Sequence, residues 1–236
     1  MKFNTQQPLP FVTSSTVQVH SIFPTLQGEG PFTGHRAIFV RLSGCNLQCP
    51  GCDTEYTGGK DYTVEGLKHE IENTIWREAW VGDDKRLIVF TGGEPFRQSS
   101  AIEVMNLLTN CGYIVQVETN GTFPVDGLHE DVVVICSPKS GSIHKSVAKR
   151  ANAFKYVLSE TSYNPDDLLP VRVLRHSVAK EVYRPEYNYE GPIYIQPADP
   201  VDDDAQYVKN VKLCVEAAMK FGYILQLQVH KIVGVA

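Results

Sequence analysis

The sequence predicts an α/β protein built on a mostly parallel sheet. The first observation is that strand-like apolar runs alternate with helix-periodic segments, the pattern of right-handed β-α-β units. The second is how the runs end. TGGEP (91–95), ETNGT (118–122), CSPK (136–139), QPAD (196–199) and QVHK (228–231) are all polar or glycine-rich tips. Parallel α/β folds assemble their sites at the carboxyl ends of strands, so five such tips predict one site on one side of the sheet. The third is composition: 236 residues, 42% hydrophobic and 21% charged, suit a globular domain with a sizeable core and exclude disorder.

Each element follows from the residues in order. Residues 1–15 mix polar side chains with Pro8 and Pro10 and show no period, which predicts an extended or mobile arm ahead of a core domain over 16–236. Val17, Val19 and Ile22 open the first strand, and TLQGEGPFTG (25–34) is a glycine-rich loop. AIFVRL (37–42) is a buried strand, and 43–60 is a long loop without period. Val64, Leu67, Ile71 and Ile75 recur at helical spacing, so 63–79 is a helix with Thr63 at its start. Residues 86–95 form a strand running into a glycine pair, followed by a helix at 99–110. Strands are expected at 113–122, 132–139, 153–159 and 192–199. A last helix at 203–221 and a last strand at 223–231 complete the chain. Asp202, Asp203 and Asp204 fall where that helix begins and complement its amino terminus.

The net charge of −5 argues against a general nucleic-acid binder. No apolar run approaches the roughly 18 residues of a membrane span. MKFNTQQPLPF lacks the apolar stretch of a secretory signal, so a cytoplasmic protein is expected.

Three of the six cysteines, Cys45, Cys49 and Cys52, fall in one short loop with the spacing C-x3-C-x2-C. Three thiolates with no fourth nearby suit a [4Fe-4S] cluster that keeps one iron open. The alternatives are a zinc knuckle completed from a distance, or free thiols. Cys111, Cys136 and Cys214 are scattered and read as small buried hydrophobes.

The triplet followed by the TGGEP tip resembles the radical S-adenosylmethionine superfamily, in which the open iron chelates S-adenosyl-L-methionine and one electron generates a 5′-deoxyadenosyl radical. The likeness extends through TLQGEG, FVRLSGCN, CDTEY, TGGEP, ETNGT, SPK, QPAD and QVHK, in that order. Over roughly 17–236 the chain is similar to the 7-carboxy-7-deazaguanine synthase family. That likeness implies a trimmed, incomplete (β/α) barrel with mostly parallel strands. It also implies conversion of 6-carboxy-5,6,7,8-tetrahydropterin to 7-carboxy-7-deazaguanine with loss of ammonia, in 7-deazapurine (queuosine) biosynthesis. Mg2+, an electron donor such as flavodoxin or ferredoxin, and a homodimer are implied with it. The arm at 1–15 is not accounted for by the likeness. Glycyl-radical-activating enzymes share the cysteine spacing and GGEP but have no reason to carry LQGEG, CDT and a terminal QVHK. A non-catalytic iron–sulfur or zinc scaffold is the remaining alternative.

The resemblance implies roles residue by residue. Leu26, Gln27 and Gly28 hold the pterin by main-chain atoms. Glu29 either accepts from its ring donors or is loop charge. Arg41 forks onto the substrate carboxylate, and Thr91 touches substrate. His230 either bonds the substrate or is a core histidine, and Ala236 offers its terminal carboxylate. Thr54 matches the Mg2+-binding hydroxyl. Gly51, Cys52 and Asp53, Gly93 and Glu94, Ser137, Pro138 and Lys139, and Gln196, Pro197, Ala198 and Asp199 match cofactor-binding positions. Glu94 has helix capping as its alternative, and Lys139 simple exposure. Gly51 departs from the family, which usually has an aromatic before the third cysteine. Adenine contact there falls to backbone or to Tyr56.

Overall fold

The computed structural model describes residues 6–80, 86–174, 181–200 and 202–235. Nine strands form one open sheet in the order β3-β1-β2-β4-β5-β6-β7-β8-β9. They are β1 (Thr16–Leu26), β2 (Arg36–Leu42), β3 (Lys60–Thr63), β4 (Leu87–Gly92), β5 (Ile114–Thr119), β6 (Val133–Cys136), β7 (Ala153–Leu158), β8 (Ile193–Pro197) and β9 (Ile224–Leu225). From β2 to β9 every pairing is parallel. The sheet does not close on itself, which is the incomplete barrel expected. β1 is antiparallel to both β2 and β3, so the first strand runs against the rest.

The helices cover the outer face. In α1 (Val64–Arg77) the Thr63 hydroxyl accepts from the Gly66 N–H, capping the first turn, and Leu67, Ile71 and Ile75 are buried at helical spacing. In α2 (Ser99–Asn110), Ala101, Val104, Met105 and Leu108 do the same. A six-residue helix, α3 (Lys145–Arg150), went unread in the sequence. In α4 (Asp204–Phe221) Asp203 accepts from the Gln206 N–H, and Gly222 ends the helix at φ 74°, where a Cβ would be strained. Asp203 is therefore the cap that the acidic run suggested. No described helix is long and apolar enough to cross a membrane.

Strand pleat divides the two faces. Ile38, Val40 and Leu42 of β2, and Phe154, Tyr156 and Leu158 of β7, pack in the outer core. Their alternates Phe39 and Arg41, and Lys155 and Val157, line an open cavity on the inner face.

Two expectations change. The segment 223–231 is not a continuous strand. β9 stops after two residues, and 229–233 form a short helix, α5 (Val229–Val233). β8 offers β9 only Tyr194 and Ile195 as partners, so the edge chain turns away. Cys111 is exposed just past α2, whereas Cys136 and Cys214 are buried. The expected burial of a cysteine fails at Cys111 because it follows the last helical turn.

Candidate active site

A cavity of about 2130 Å³ occupies the inner face of the sheet. Pockets for a single small ligand usually fall between ~300 and ~1,000 Å³, so this one has room for more than one organic group beside the cysteine loop. Its wall includes Cys45, Cys49 and Cys52, Thr91 and Gly93 at the β4 tip, and Ser137 and Lys139 after β6. Gln196, Pro197, Ala198 and Asp199 of the β8 tip also line it. Glu118, Thr119 and Asn120 at the β5 tip line it too, so the tips of β4, β5, β6 and β8 meet as expected. His230 also faces the cavity, but from α5 rather than from a strand.

Gln27 and Glu29 reach the same cavity by another route. Because β1 is antiparallel, Leu26 pairs with Arg36 at the start of β2, at the opposite end of the ladder from the tips. The loop beyond it turns inward. Gly30 N–H donates to Gln226 Oε1 at 2.7 Å, and Val229 N–H donates to the Gly28 carbonyl at 3.3 Å, joining this loop to the carboxyl-terminal segment. Gly28 is required there, since a Cβ would overlap the His230 ring. Leu26 itself lines a separate cavity with Phe32 and Ile114. Gly28, Glu94 and Pro138 do not line the main cavity. Ala236 lies outside the described residues.

The cysteine loop is stitched to the β4 tip. Gly93 N–H donates to the Leu42 carbonyl at 3.1 Å and Glu94 N–H to the Gly44 carbonyl at 2.9 Å. A Cβ on Gly93 would overlap that Gly44 carbonyl, so the second glycine of the tip sets the approach of the two loops. Glu94 is wholly buried and accepts from Phe96 N–H at 3.0 Å, Thr119 Oγ1 at 2.7 Å and Asn120 N–H at 2.7 Å. Its carboxylate caps the turn at Pro95–Arg97 and joins the tips of β4 and β5. Gly51 N–H donates to the Leu174 carbonyl at 2.9 Å, and a Cβ on Gly51 would lie 3.2 Å from that oxygen. A segment of the β7–β8 connection therefore packs where a larger residue at 51 would stand.

Arg41 projects from β2 over the Phe23 ring at 5.2 Å, and its Nε is buried without a hydrogen bond among the described residues. A buried guanidinium N–H without a partner is costly, and a bound anion would satisfy it. Desolvation lowers its pKa, opposed by the nearby Asp53. Lys139 Nζ donates to the Ser137 carbonyl at 2.9 Å and Oγ at 2.6 Å. Lys231 of α5 spans Asp53 at 3.1 Å and Asp199 at 3.2 Å, across the mouth between the cysteine loop and the β8 tip.

The largest feature missed in the sequence is a buried ionic network. Lys155 Nζ bonds Glu29 Oε2 and, at 2.8 Å, Glu118 Oε2. Gln228 donates to Glu29 Oε1 at 2.7 Å, and Gln27 donates to Glu118 Oε1 at 3.2 Å. Burial alone would raise the Glu29 carboxyl, but the charge and hydrogen bond of Lys155 outweigh it and hold the pKa below the ordinary range. Burial likewise disfavours the Lys155 cation, and the two carboxylates more than reverse this. Two carboxylates against one ammonium leave the network with a net negative charge. The lone pairs left over can accept from a ligand's N–H groups. A signal was present: a lysine inside the apolar run AFKYVL must find a buried partner.

Comparison with known proteins places this geometry. Residues 39–158 match the model of the Radical SAM superfamily. The 7-carboxy-7-deazaguanine synthase of Rhodospirillum rubrum is 35% identical over 234 residues, covering 92% of each chain. The chain belongs to the 7-carboxy-7-deazaguanine synthase family. The enzyme of the same name from Rickettsia prowazekii is 33% identical, over 93% of this chain and 88% of its own. The crystal structure of QueE from Escherichia coli superposes with a TM-score of 0.63 at 26% identity, covering 90% of this chain and 94% of that one.

Radical SAM membership implies a [4Fe-4S] cluster and S-adenosylmethionine, and the residues present fit them. The three thiols share one wall, and none is in a disulfide. Burial pushes Cys45 up to about 12 and Cys49 to about 11, and a bound cation would bring both thiols down. Among the described residues no three His, Cys, Asp or Glu side chains converge on a single ion. Three thiols on one wall suit a cluster, whose corners hold thiolates on separate irons.

Proposed function

We propose that this member of the family converts 6-carboxy-5,6,7,8-tetrahydropterin to 7-carboxy-7-deazaguanine with loss of ammonia, as a step of queuosine biosynthesis. The observation that carries this reading is a single cavity joining the three-thiol loop, a buried arginine with an unsatisfied N–H, and a negatively charged polar network. When bound to the open iron, S-adenosylmethionine supplies the chemistry of hydrogen-atom abstraction.

The chain's own residues bind and orient. Arg41 takes the substrate carboxylate, and its position on rigid β2 sets the distance from the cysteine loop. Glu29, with the backbone of Gln27 beside it in the cavity wall, receives the amino and ring N–H groups of the aminopyrimidinone. Its ion pair with Lys155 keeps it ionised for that purpose. Thr91 and His230 flank the substrate from the β4 tip and from α5. Gly51 to Asp53, Gly93, Ser137 and Lys139, and Gln196 to Asp199 hold S-adenosylmethionine. In this reading Glu94 acts through the β4 tip that it caps. Thr54, whose Oγ1 lies 3.4 Å from Asp53 Oδ1 on the same wall, is the Mg2+ ligand, with substrate oxygens and water completing the shell. The electron comes from a flavodoxin or ferredoxin, and the working assembly is a homodimer.

The test is anaerobic turnover of 6-carboxytetrahydropterin by cluster-loaded protein with S-adenosylmethionine and a reductant, read by mass spectrometry. Formation of 7-carboxy-7-deazaguanine is expected. Loaded protein that leaves the pterin unchanged, or releases 5′-deoxyadenosine with a different product, refutes the proposal.

A further inference from the structure

Residues 6–14 precede the first strand and lie against the loop that carries the first cysteine. Leu9 N–H donates to the Cys45 carbonyl at 2.8 Å. The Leu9 side chain meets Gly44, where a Cβ would stand 2.9 Å from Leu9 Cδ1 and from the Arg97 guanidinium. Arg97 is buried and holds both sides of the contact: Nη1 donates to the Pro10 carbonyl at 3.2 Å and Nη2 to the Ser43 carbonyl at 3.2 Å. Val12 then bridges to the β4–α2 connection, donating to the Arg97 carbonyl at 2.8 Å and accepting from Ser99 N–H at 3.0 Å. On the other side Phe11 packs on Phe123 with ring centres 5.7 Å apart. Gln6 and Gln7 join Cys45 in the cavity wall.

The sequence prepares this path. In Gln7-Pro8-Leu9-Pro10 each proline fixes its own φ and biases the preceding residue away from helix. Little freedom is then lost when the segment lies down as an extended chain. Four of the contacts are to main-chain atoms, so they position the loop without contributing a ligand.

We propose that residues 6–14 are a positioning strap for the iron–sulfur centre. Leu9 and Arg97 fix the loop bearing Cys45, and the strap screens that side of the cluster from water and oxygen. Groups outside the ligand sphere orient the ligands, and solvent exposure tunes the potential of such clusters. The inference rests on the reading of Cys45, Cys49 and Cys52 as cluster ligands.

The test compares cluster-loaded full chain with a deletion of residues 2–12, with Leu9→Pro, which removes the donor N–H and the leucine side chain, with Leu9→Ala, which removes the side chain alone and should stay closer to the full chain than Leu9→Pro, and with Leu9→Met, which keeps both donor and bulk. Two quantities are read: loss of visible cluster absorbance in air, and the cluster's midpoint potential. The deletion and Leu9→Pro should lose the cluster severalfold faster. Their potentials should rise, because water stabilises the more negative reduced form. Leu9→Met should match the full chain. Parental bleaching and potential in both the deletion and Leu9→Pro overturn the strap, and Leu9→Met behaving as Leu9→Pro overturns the role of the N–H bond. If the deletion lowers folded yield, Leu9→Pro decides. A full chain that takes up no cluster defeats the functional reading instead, which keeps the two failures distinct.

Discussion

Replacing Lys155 by methionine isolates the network beneath the substrate site. The substitution keeps most of the volume and removes the one cation shared by Glu29 and Glu118. Removing one partner of a buried pair usually costs ~3–5 kcal/mol. The structure permits a tighter figure. Glu29 is 8% exposed, so without Lys155 its burial is opposed only by the Gln228 hydrogen bond and the nearby His230, and the carboxyl is expected to fold protonated. Its ordinary value is 4.5, roughly 2.5 pH units below neutrality. Holding it neutral at pH 7 costs about 3.4 kcal/mol at ~1.36 kcal/mol per pH unit. At pH 5 the same cost is only about 0.7 kcal/mol.

The sign follows from proton counts. In the parent the Glu29 pKa is depressed and that of Lys155 is raised. Stability from Glu29 is present above 4.5 and is lost as pH falls through its folded value. Stability from Lys155 is present below 10.5 and is lost as pH rises through its folded value. Between pH 5 and 7 the parent is therefore flat with respect to this pair. The variant binds one more proton folded than unfolded, so its stability falls as pH rises. Urea unfolding at matched cluster loading, followed anaerobically by tryptophan fluorescence, should show the deficit growing by about 2.7 kcal/mol from pH 5 to pH 7. Lys155→Met/Glu29→Gln should recover much of the loss at pH 7, because the more deeply buried of the two carboxylates then needs no proton. A deficit independent of pH, or a double variant worse than the single one, refutes the reasoning.

Alanine at Cys45, Cys49 or Cys52 should abolish cluster loading and turnover, while Cys111→Ala, at an exposed site, should retain both in iron and sulfide analysis. Arg41→Ala should weaken pterin binding by ~1.5–3 kcal/mol in calorimetry with or without Mg2+, as expected for one charge-assisted hydrogen bond. Thr54→Ala should blunt Mg2+ stimulation, with the cluster spectrum unchanged, and Thr54→Ser should keep it; equal stimulation in Thr54→Ala would remove the ion from this position. Gly28→Ala puts a methyl into the His230 ring and should raise KM by displacing α5, so unchanged KM would show that α5 does not dock in turnover.

Much of the fold was legible because its elements are locally determined. Thr63 and Asp203 cap α1 and α4 from within the first turn, and Gly222 ends α4 through its own φ, so sequence periodicity and end signals agree. Direction is not local. Val17 and Val19 alternate in the same way whether β1 runs with or against β2, and the antiparallel choice puts Gln27 and Glu29 in the cavity from the far end of the ladder. QVHK alternates like a strand, but β8 offers only two residues for pairing, and the chain turns into α5 to bring Gln228 to Glu29.

The ionic network shows where sequence reasoning could have gone further. The apolar run AFKYVL predicts a strand, and ETNGT predicts a site-forming tip. The informative residues were Lys155 and Glu118, which sit at cavity-facing pleat positions among neighbours that belong to the core. An ammonium cannot be buried alone, so Lys155 required a carboxylate from another strand or loop, and Glu118 and Glu29 were among the few candidates at strand tips or in glycine-rich loops. A charged residue at an inner position of a buried parallel strand thus points to the cavity as directly as a motif does. It also locates the cavity's polar floor, which the strand tips alone leave undefined.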